Sequence, residues 1–246
     1  MAELKQITRP PRELLEPFEE LGTATISSAL REVCGILKSF MVGPVAFTPG
    51  LKTVGVATTV SFLPRREDIV TTRQEEAEES LSALWAGIIS VQDGDVLVVD
   101  ARANMESGCL GEMLMTAIQA KGARGLVVDG CIRDMPQARE LGLPLFLRGA
   151  TPYSSGHFDM FPWDYNVPVG CGGVLVMPGD IIVADDDGVV VVPPKVAAEV
   201  IEYCQVREAA EVFERIKLRE TGDVAKYYPL SAEGRVEYEE WKKGQI

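Results

Sequence analysis

Apolar residues along the chain switch between two spacings. Leu14, Leu15, Phe18 and Leu21 recur at helical spacing. Ile26, Leu30 and Val33 do the same behind Thr25, which has the chemistry of an N-cap, with Gly35 as the stop. From Thr53 to Phe62 valine and threonine dominate, which predicts a strand. An acidic segment, Glu75 to Ser80, leads into an apolar helix containing Leu81, Leu84 and Ile88. Gly94 to Asp100 (GDVLVVD) and Gly179 to Asp185 (GDIIVAD) each read as a tight turn feeding a buried strand with an aspartate at its end. The echo is too short to indicate duplication.

The centre alternates more regularly. SGCLGEMLMTAIQAKG is a helix with Leu110, Leu114, Ala117 and Ile118 on one face and Gly122 as its stop. ARGLVVD is a strand, MPQAREL a short helix and PLFLRG another strand, a rhythm that predicts an α/β layer structure. Strands and hairpins fill Pro168 to Pro194. A long amphipathic helix follows, its stripe running through Val196, Val200, Tyr203, Val206, Ala210 and Phe213. A helix of that length beside a compact domain points to packing on a second subunit. The remainder, from Gly222, is polar and aromatic without a clear period. The expected organisation is one domain over 1–222 and a polar tail over 223–246.

Composition narrows the function. The chain has 246 residues and a net charge of −13, which argues against a nucleic-acid surface built on clustered Lys and Arg. No apolar run approaches the ~20 residues of a membrane span, and the charged, proline-broken N-terminus is not a secretory signal. The five cysteines, odd in number and without a CxxC pair, argue against a disulfide framework or a cysteine zinc site and for a reducing cytoplasm. His157 is the only histidine, so no multi-histidine metal site can form, and no GxSxG elbow accompanies it. Any catalysis should rest on carboxylates and arginines.

Candidate residues gather where apolar strands turn into helices. Arg133 and Asp134 follow the ARGLVVDGCI strand. Asp134 begins a D-x-x-Q sequence, the form of a capping box, and a lone carboxylate there also suits Mg²⁺. Arg133 is either a solvated surface cation or a fork for a substrate carboxylate. Gly108 and Gly111 precede the next helix, where glycine serves close backbone approach to a ligand or the loop's own geometry. Glu112 complements the helix dipole, acts as an acid/base group or orients a metal-bound water. Asp185, Asp186 and Asp187 before Gly188 read as a hairpin turn rather than as ligands.

LGEMLMTAIQAKGARGLVVDGCIRDMPQARELGLPLFLRGATP, followed by NVPVGCGGVLVMPGDIIVADDDGVVVVP, resembles the RraA-like family, and the likeness spans about Leu14 to Glu214. That family includes 4-hydroxy-4-methyl-2-oxoglutarate/4-carboxy-4-hydroxy-2-oxoadipate aldolases and RNase E activity regulators. The resemblance implies a swivelling β/β/α-like α/β fold, assembled as homotrimers or homohexamers with sites between subunits. Glu112, the twenty residues Met113 to Ile132, then Arg133-Asp134 reproduce the spacing of the aldolase motif. Glu112 stands where the aldolase pattern favours Asp. By resemblance, Arg133 binds the pyruvyl group and stabilises its enolate, Asp134 anchors Mg²⁺ or Mn²⁺, and Gly111, Glu112, Met113 and Leu114 present backbone N–H groups to the substrate. A glutamate from a neighbour's C-terminal helix, Glu208 or Glu211 here, contributes to catalysis. The expected reaction is class II cleavage of a 4-hydroxy-2-oxo acid to pyruvate, with oxaloacetate decarboxylation as a side activity. The expected alternatives are a non-catalytic regulator that docks on an RNase E-like protein, and a related decarboxylase or dehydratase.

Overall fold

The computed structural model describes residues 4–66, 68, 82–154 and 159–244. The acidic segment Glu75 to Ser80, Leu81 and His157 lie outside the described residues. In chain order the regular elements are α1 (Thr23–Glu32), β1 (Val45–Ala46), β2 (Thr53–Pro64), α2 (Ala83–Ser90), β3 (Asp95–Gly108), α3 (Glu112–Ala120), β4 (Gly125–Ile132), α4 (Met135–Glu140) and β5 (Leu145–Ala150). Then come β6 (Met160–Tyr165), β7 (Val169–Cys171), β8 (Val174–Val176), β9 (Ile181–Asp185), β10 (Gly188–Val192), α5 (Ala197–Thr221), α6 (Val224–Tyr227) and α7 (Ala232–Lys243).

Strands β2, β3, β4 and β5 lie parallel and adjacent, joined by α2, α3 and α4. The first residues of β2, Thr53 to Val56, pair with β9, while Val60 to Pro64 pair with β6. β10 lies beyond β9 and β1 beyond β5, both antiparallel to their neighbours. The segment that leads into β1 nearly closes the sheet. Met41 donates to Val189 O of β10 at 2.9 Å, and a few residues later Val45 and Ala46 pair with β5.

Strand alternation sorts the side chains into three cores. Val96, Val98, Val127, Phe146, Ile182, Ala184, Val189 and Val191 fill the concave face, plugged by the β7–β8 hairpin. Leu97, Val99, Leu126, Val128, Leu145 and Leu147 point the other way, under Leu84, Ile88, Met115, Ile118 and Ala138 of the three crossover helices. Ile181, Val183, Val190 and Val192 face α1 and α5 through Ile26, Leu30, Val200 and Cys204.

Several expectations are corrected. The apolar positions from Leu14 to Leu21 form two 3₁₀ turns, Arg12–Leu14 and Glu16–Glu19, because Pro17 supplies no N–H for a continuous helix. The helix expected after Thr25 begins at Thr23, with Gly22 at the N-cap position. Asp185 accepts from Thr23 N at 3.0 Å and Thr23 Oγ1 at 2.6 Å, so a residue distant in sequence satisfies the helix start. The same carboxylate accepts from Asp187 N, and the Asp185–Gly188 pair closes the hairpin, so the turn reading of the aspartates holds. The segment from Asp223 is helical, with Tyr227, Tyr238 and Trp241 packing around Phe213 of α5. Its period was hidden because a single aromatic ring on α5 gathers residues from two short helices. Among the described residues no helix is long and apolar enough to cross a membrane.

Burial pushes the carboxyls of Asp100, Asp180 and Glu214 above their ordinary values. A raised native pKa means the folded chain keeps a proton that the unfolded chain has released. These groups therefore weaken the fold as pH rises through the raised values, and stability returns as pH falls toward the ordinary carboxylate range. Glu214→Gln removes one of them. Its urea midpoint should exceed that of the unmodified chain at pH 7, with the gap narrowing at about pH 5. A gap that is constant across that range contradicts the assignment.

Candidate active site

Two strand-to-helix turns meet at the carboxyl edge of the parallel strands, the place where α/β sheets collect ligands. One runs from Gly108, the end of β3, to the start of α3; the other is Arg133-Asp134 between β4 and α4. Backbone bonds lock them together: Cys109 N donates to Cys131 O at 2.9 Å and Arg133 N to Leu110 O at 3.1 Å. The glycines are explained by this approach. A Cβ on Gly108 would sit 3.0 Å from Arg133 N, and one on Gly111 would overlap Asp134 Oδ2 and lie 2.9 Å from Arg133 Nε. Gly111→Ala should thus displace both site side chains while leaving the backbone intact. The melting point of that variant should barely move, because both displaced side chains are partly exposed and can turn toward solvent.

Asp134 does not form the expected capping box. It occupies the N-cap position in the left-handed conformation, φ 63° and ψ 36°, and its side chain makes no cap hydrogen bond. That backbone aims the carboxylate away from its own helix and across to the neighbouring turn. There Oδ2 accepts a long 3.3 Å bond from Glu112 N and lies 3.4 Å from Arg133 Nε. Both side chains are partly exposed, Arg133 by 44% and Asp134 by 42%, so the pair is available to a ligand.

The cleft in front of them holds about 230 Å³ and is lined by Gly108 to Gly111, Met113, Leu114, Arg133 and Asp134. The N–H groups of Gly111 and Met113 have no acceptor among the described residues. Glu112 enters through its backbone only. Its carboxylate accepts from Thr116 Oγ1 at 2.7 Å and does not line the cleft. Cys109 lines it as well, but burial pushes its thiol up to about 12, which favours the neutral thiol over a thiolate nucleophile.

Within the chain, Glu208 and Glu211 do not line this cleft. Glu208 Oε1 accepts from Gly22 N at 3.1 Å, and Glu211 pairs with Arg207 Nε at 3.1 Å one helical turn away. The structure also contributes residues not singled out in the sequence, chiefly Arg65 and Trp85 on the opposite wall. Arg65 could have been found by inspecting the charged residue after each parallel strand, since it follows β2 as Arg133 follows β4. Among the described residues no three His, Cys, Asp or Glu side chains converge as a metal cage.

Residues 23–191 match the RraA-like family, described as Aldolase/RraA. The chain belongs to the RraA-like family. Over 138 residues it is 35% identical to a Halalkalibacterium halodurans protein provisionally named a 4-hydroxy-4-methyl-2-oxoglutarate aldolase, covering 56% of this chain and 64% of that one. Among solved structures, Streptomyces coelicolor RraAS2, described as an unusual member of the RNase ES inhibitor RraA protein family, superposes with a TM-score of 0.78. It is 44% identical and covers 85% of this chain and 99% of its own. The Thermus thermophilis RNA-processing inhibitor RraA, at 24% identity and TM-score 0.53, shares the fold, covering 71% of this chain and 93% of its own. The chain spans less than two thirds of the length of the H. halodurans relative but nearly all of RraAS2. In this RraA-like chain the two locked turns fall inside the matched region, whereas α5, α6 and α7 lie beyond it.

Proposed function

We propose that this chain is a divalent-metal-dependent lyase that cleaves a 4-hydroxy-2-oxo acid, such as 4-hydroxy-4-methyl-2-oxoglutarate or 4-carboxy-4-hydroxy-2-oxoadipate, to pyruvate and a second oxo acid. One observation carries this reading: a guanidinium and a carboxylate converge on the N-terminus of α3 in a single cleft. The substrate's carboxylate meets the N–H groups of Gly111 and Met113, where the helix start favours an anion. Arg133 faces the 2-oxo oxygen. When the C3–C4 bond breaks, its electron pair moves onto that oxygen as an enolate, and the 4-hydroxyl gives up its proton as it becomes a carbonyl. Arg133 binds the enolate more strongly than the neutral ketone, which lowers the barrier. Protonation at C3 then yields pyruvate.

Asp134 fits a hard cation because its oxygens receive only the long bond from Glu112 N and the contact with Arg133. Mg²⁺ takes one or two carboxylates and keeps its waters, so one aspartate suffices. When bound, such an ion supplies positive charge that polarises the oxo oxygen. Glu112 is the proposed proton acceptor, after release of Thr116. In a trimer or hexamer a neighbour's glutamate is the other candidate. Glu211 is the freer of the two, since its Arg207 pair is a helix-surface pair whereas Glu208 holds Gly22.

A second reading is supported by the likeness to RraAS2: a non-catalytic regulator that binds an RNase E-like partner. A decarboxylase or dehydratase would use the same enolate site. Pyruvate release from oxaloacetate and from 4-hydroxy-4-methyl-2-oxoglutarate, coupled to lactate dehydrogenase with Mg²⁺ or EDTA, separates them. Turnover on the hydroxy acid that EDTA removes supports the aldolase. Turnover on oxaloacetate alone supports a decarboxylase. No turnover on either removes both lyases and leaves the regulator or a dehydratase.

A further inference from the structure

A second concavity lies between α5 and the C-terminal helices, and every lining residue except Val33 comes from beyond the part of the chain that matches the family. It holds about 720 Å³, within the range of small-molecule sites. Its walls are apolar: Val206, Ala210 and the ring of Tyr203 come from α5, and Leu230 and Tyr238 from the segment that folds back. Its charge is acidic, with Glu199, Glu202, Glu214 and Glu239 against Arg207 and Arg235. Arg207 is already engaged, bonded to Glu211 and lying 5.6 Å from the centre of the Tyr228 ring.

Glu214 is the informative residue. It is only 4% exposed, yet its Oε2 has no hydrogen-bond donor among the described residues. A buried carboxylate oxygen without a donor is costly, and such groups generally mark a place for something that supplies one. The helices of this segment hold together without it, through the Phe213, Tyr238 and Trp241 rings. Arg207 attracts the Glu214 carboxylate electrostatically, but its Nε donates to Glu211, so Oε2 of Glu214 stays without a donor.

We propose that this groove binds a small organic cation, a primary ammonium carried on an apolar chain or ring, with the ammonium donating to Glu214 and the apolar body lying between Tyr203 and Tyr238. The carboxylate supplies the acceptor and counter-charge, and tyrosine faces attract cations beyond their area of contact. A free carboxylate or phosphate is disfavoured by the surplus of glutamates. The site is independent of the cleft at Arg133 and stands whatever reaction occurs there.

Calorimetric titration of the full chain at pH 7 with 2-phenylethylamine, and separately with its neutral counterpart 2-phenylethanol, tests the proposal. The amine should bind in about the millimolar range or tighter, at least about ten-fold more tightly than the alcohol. Glu214→Gln should erase that preference while the alcohol binds as before. Val206→Phe, on the exposed groove wall two helical turns from Glu214, should weaken both ligands and guards against an effect of Glu214→Gln on folding. Equal affinity for amine and alcohol, no heat from the amine at about 10 mM, or undiminished amine preference in Glu214→Gln overturns it.

Discussion

Asp134→Asn is expected to lower metal-dependent pyruvate release by roughly 10²–10³-fold, the size of effect seen when one transition-state-stabilising group is lost. The melting point should barely move. Asparagine is isosteric and tolerates the left-handed backbone at φ 63°, so only the charge changes. Asp134→Ala should lose activity to the same extent and also melt earlier. An alanine forced into that conformation costs about 1–2 kcal/mol, and Asp134 makes no capping bond whose loss could explain the difference. Measuring kcat and thermal unfolding for both variants separates chemistry from backbone strain. Equal destabilisation by Asn and Ala would show that the side-chain bond matters to folding after all. Undiminished turnover in Asp134→Asn would remove this residue from the site.

The largest stability effect is expected far from the cleft. Asp95 opens β3 with a fully buried side chain, and Arg9 grips it with both arms of its fork, Nε to Oδ1 at 2.9 Å and Nη2 to Oδ2 at 2.7 Å. Gln92 N donates to the same carboxylate at 2.8 Å. Arg9→Ala leaves a buried charge with one backbone donor, which should cost about 3–5 kcal/mol in urea unfolding. That is a large share of the roughly 5–15 kcal/mol that holds a domain together. Adding Asp95→Asn to the Arg9→Ala chain should recover part of the loss, because the uncompensated charge disappears. A loss below about 1 kcal/mol would mean that water reaches Asp95 once Arg9 is gone.

Much of the parallel sheet was legible because its strands are continuous apolar runs bounded by glycines, and alternation within them assigns each residue to one core or another. The turns holding Gly108 to Gly111 and Arg133-Asp134 were legible as a candidate site because each follows an apolar strand and opens a helix. What could not be read was the direction of side chains. The D-x-x-Q sequence after β4 has the letters of a capping box, but a left-handed Asp134 turns its carboxylate onto α3 instead. Glu112 has the right spacing, yet Thr116 holds its carboxylate outside the cleft. β3 runs on through Arg102 and Ala103, both with positive φ, to Gly108, an irregular strand with no period to recognise. Arg9 and Asp95 stand 86 residues apart, and nothing in either local pattern marks them as partners.

We propose that Arg133 and Asp134 act at one step, the stabilisation of pyruvate as its enolate. Proton exchange at the methyl group of pyruvate in D₂O, followed by NMR with Mg²⁺ present, tests that step without requiring the physiological substrate. That role predicts that the unmodified chain exchanges these protons, and that EDTA, Arg133→Ala and Asp134→Asn each suppress the exchange. Absence of exchange in the unmodified chain, or exchange that survives Arg133→Ala unchanged, would contradict it.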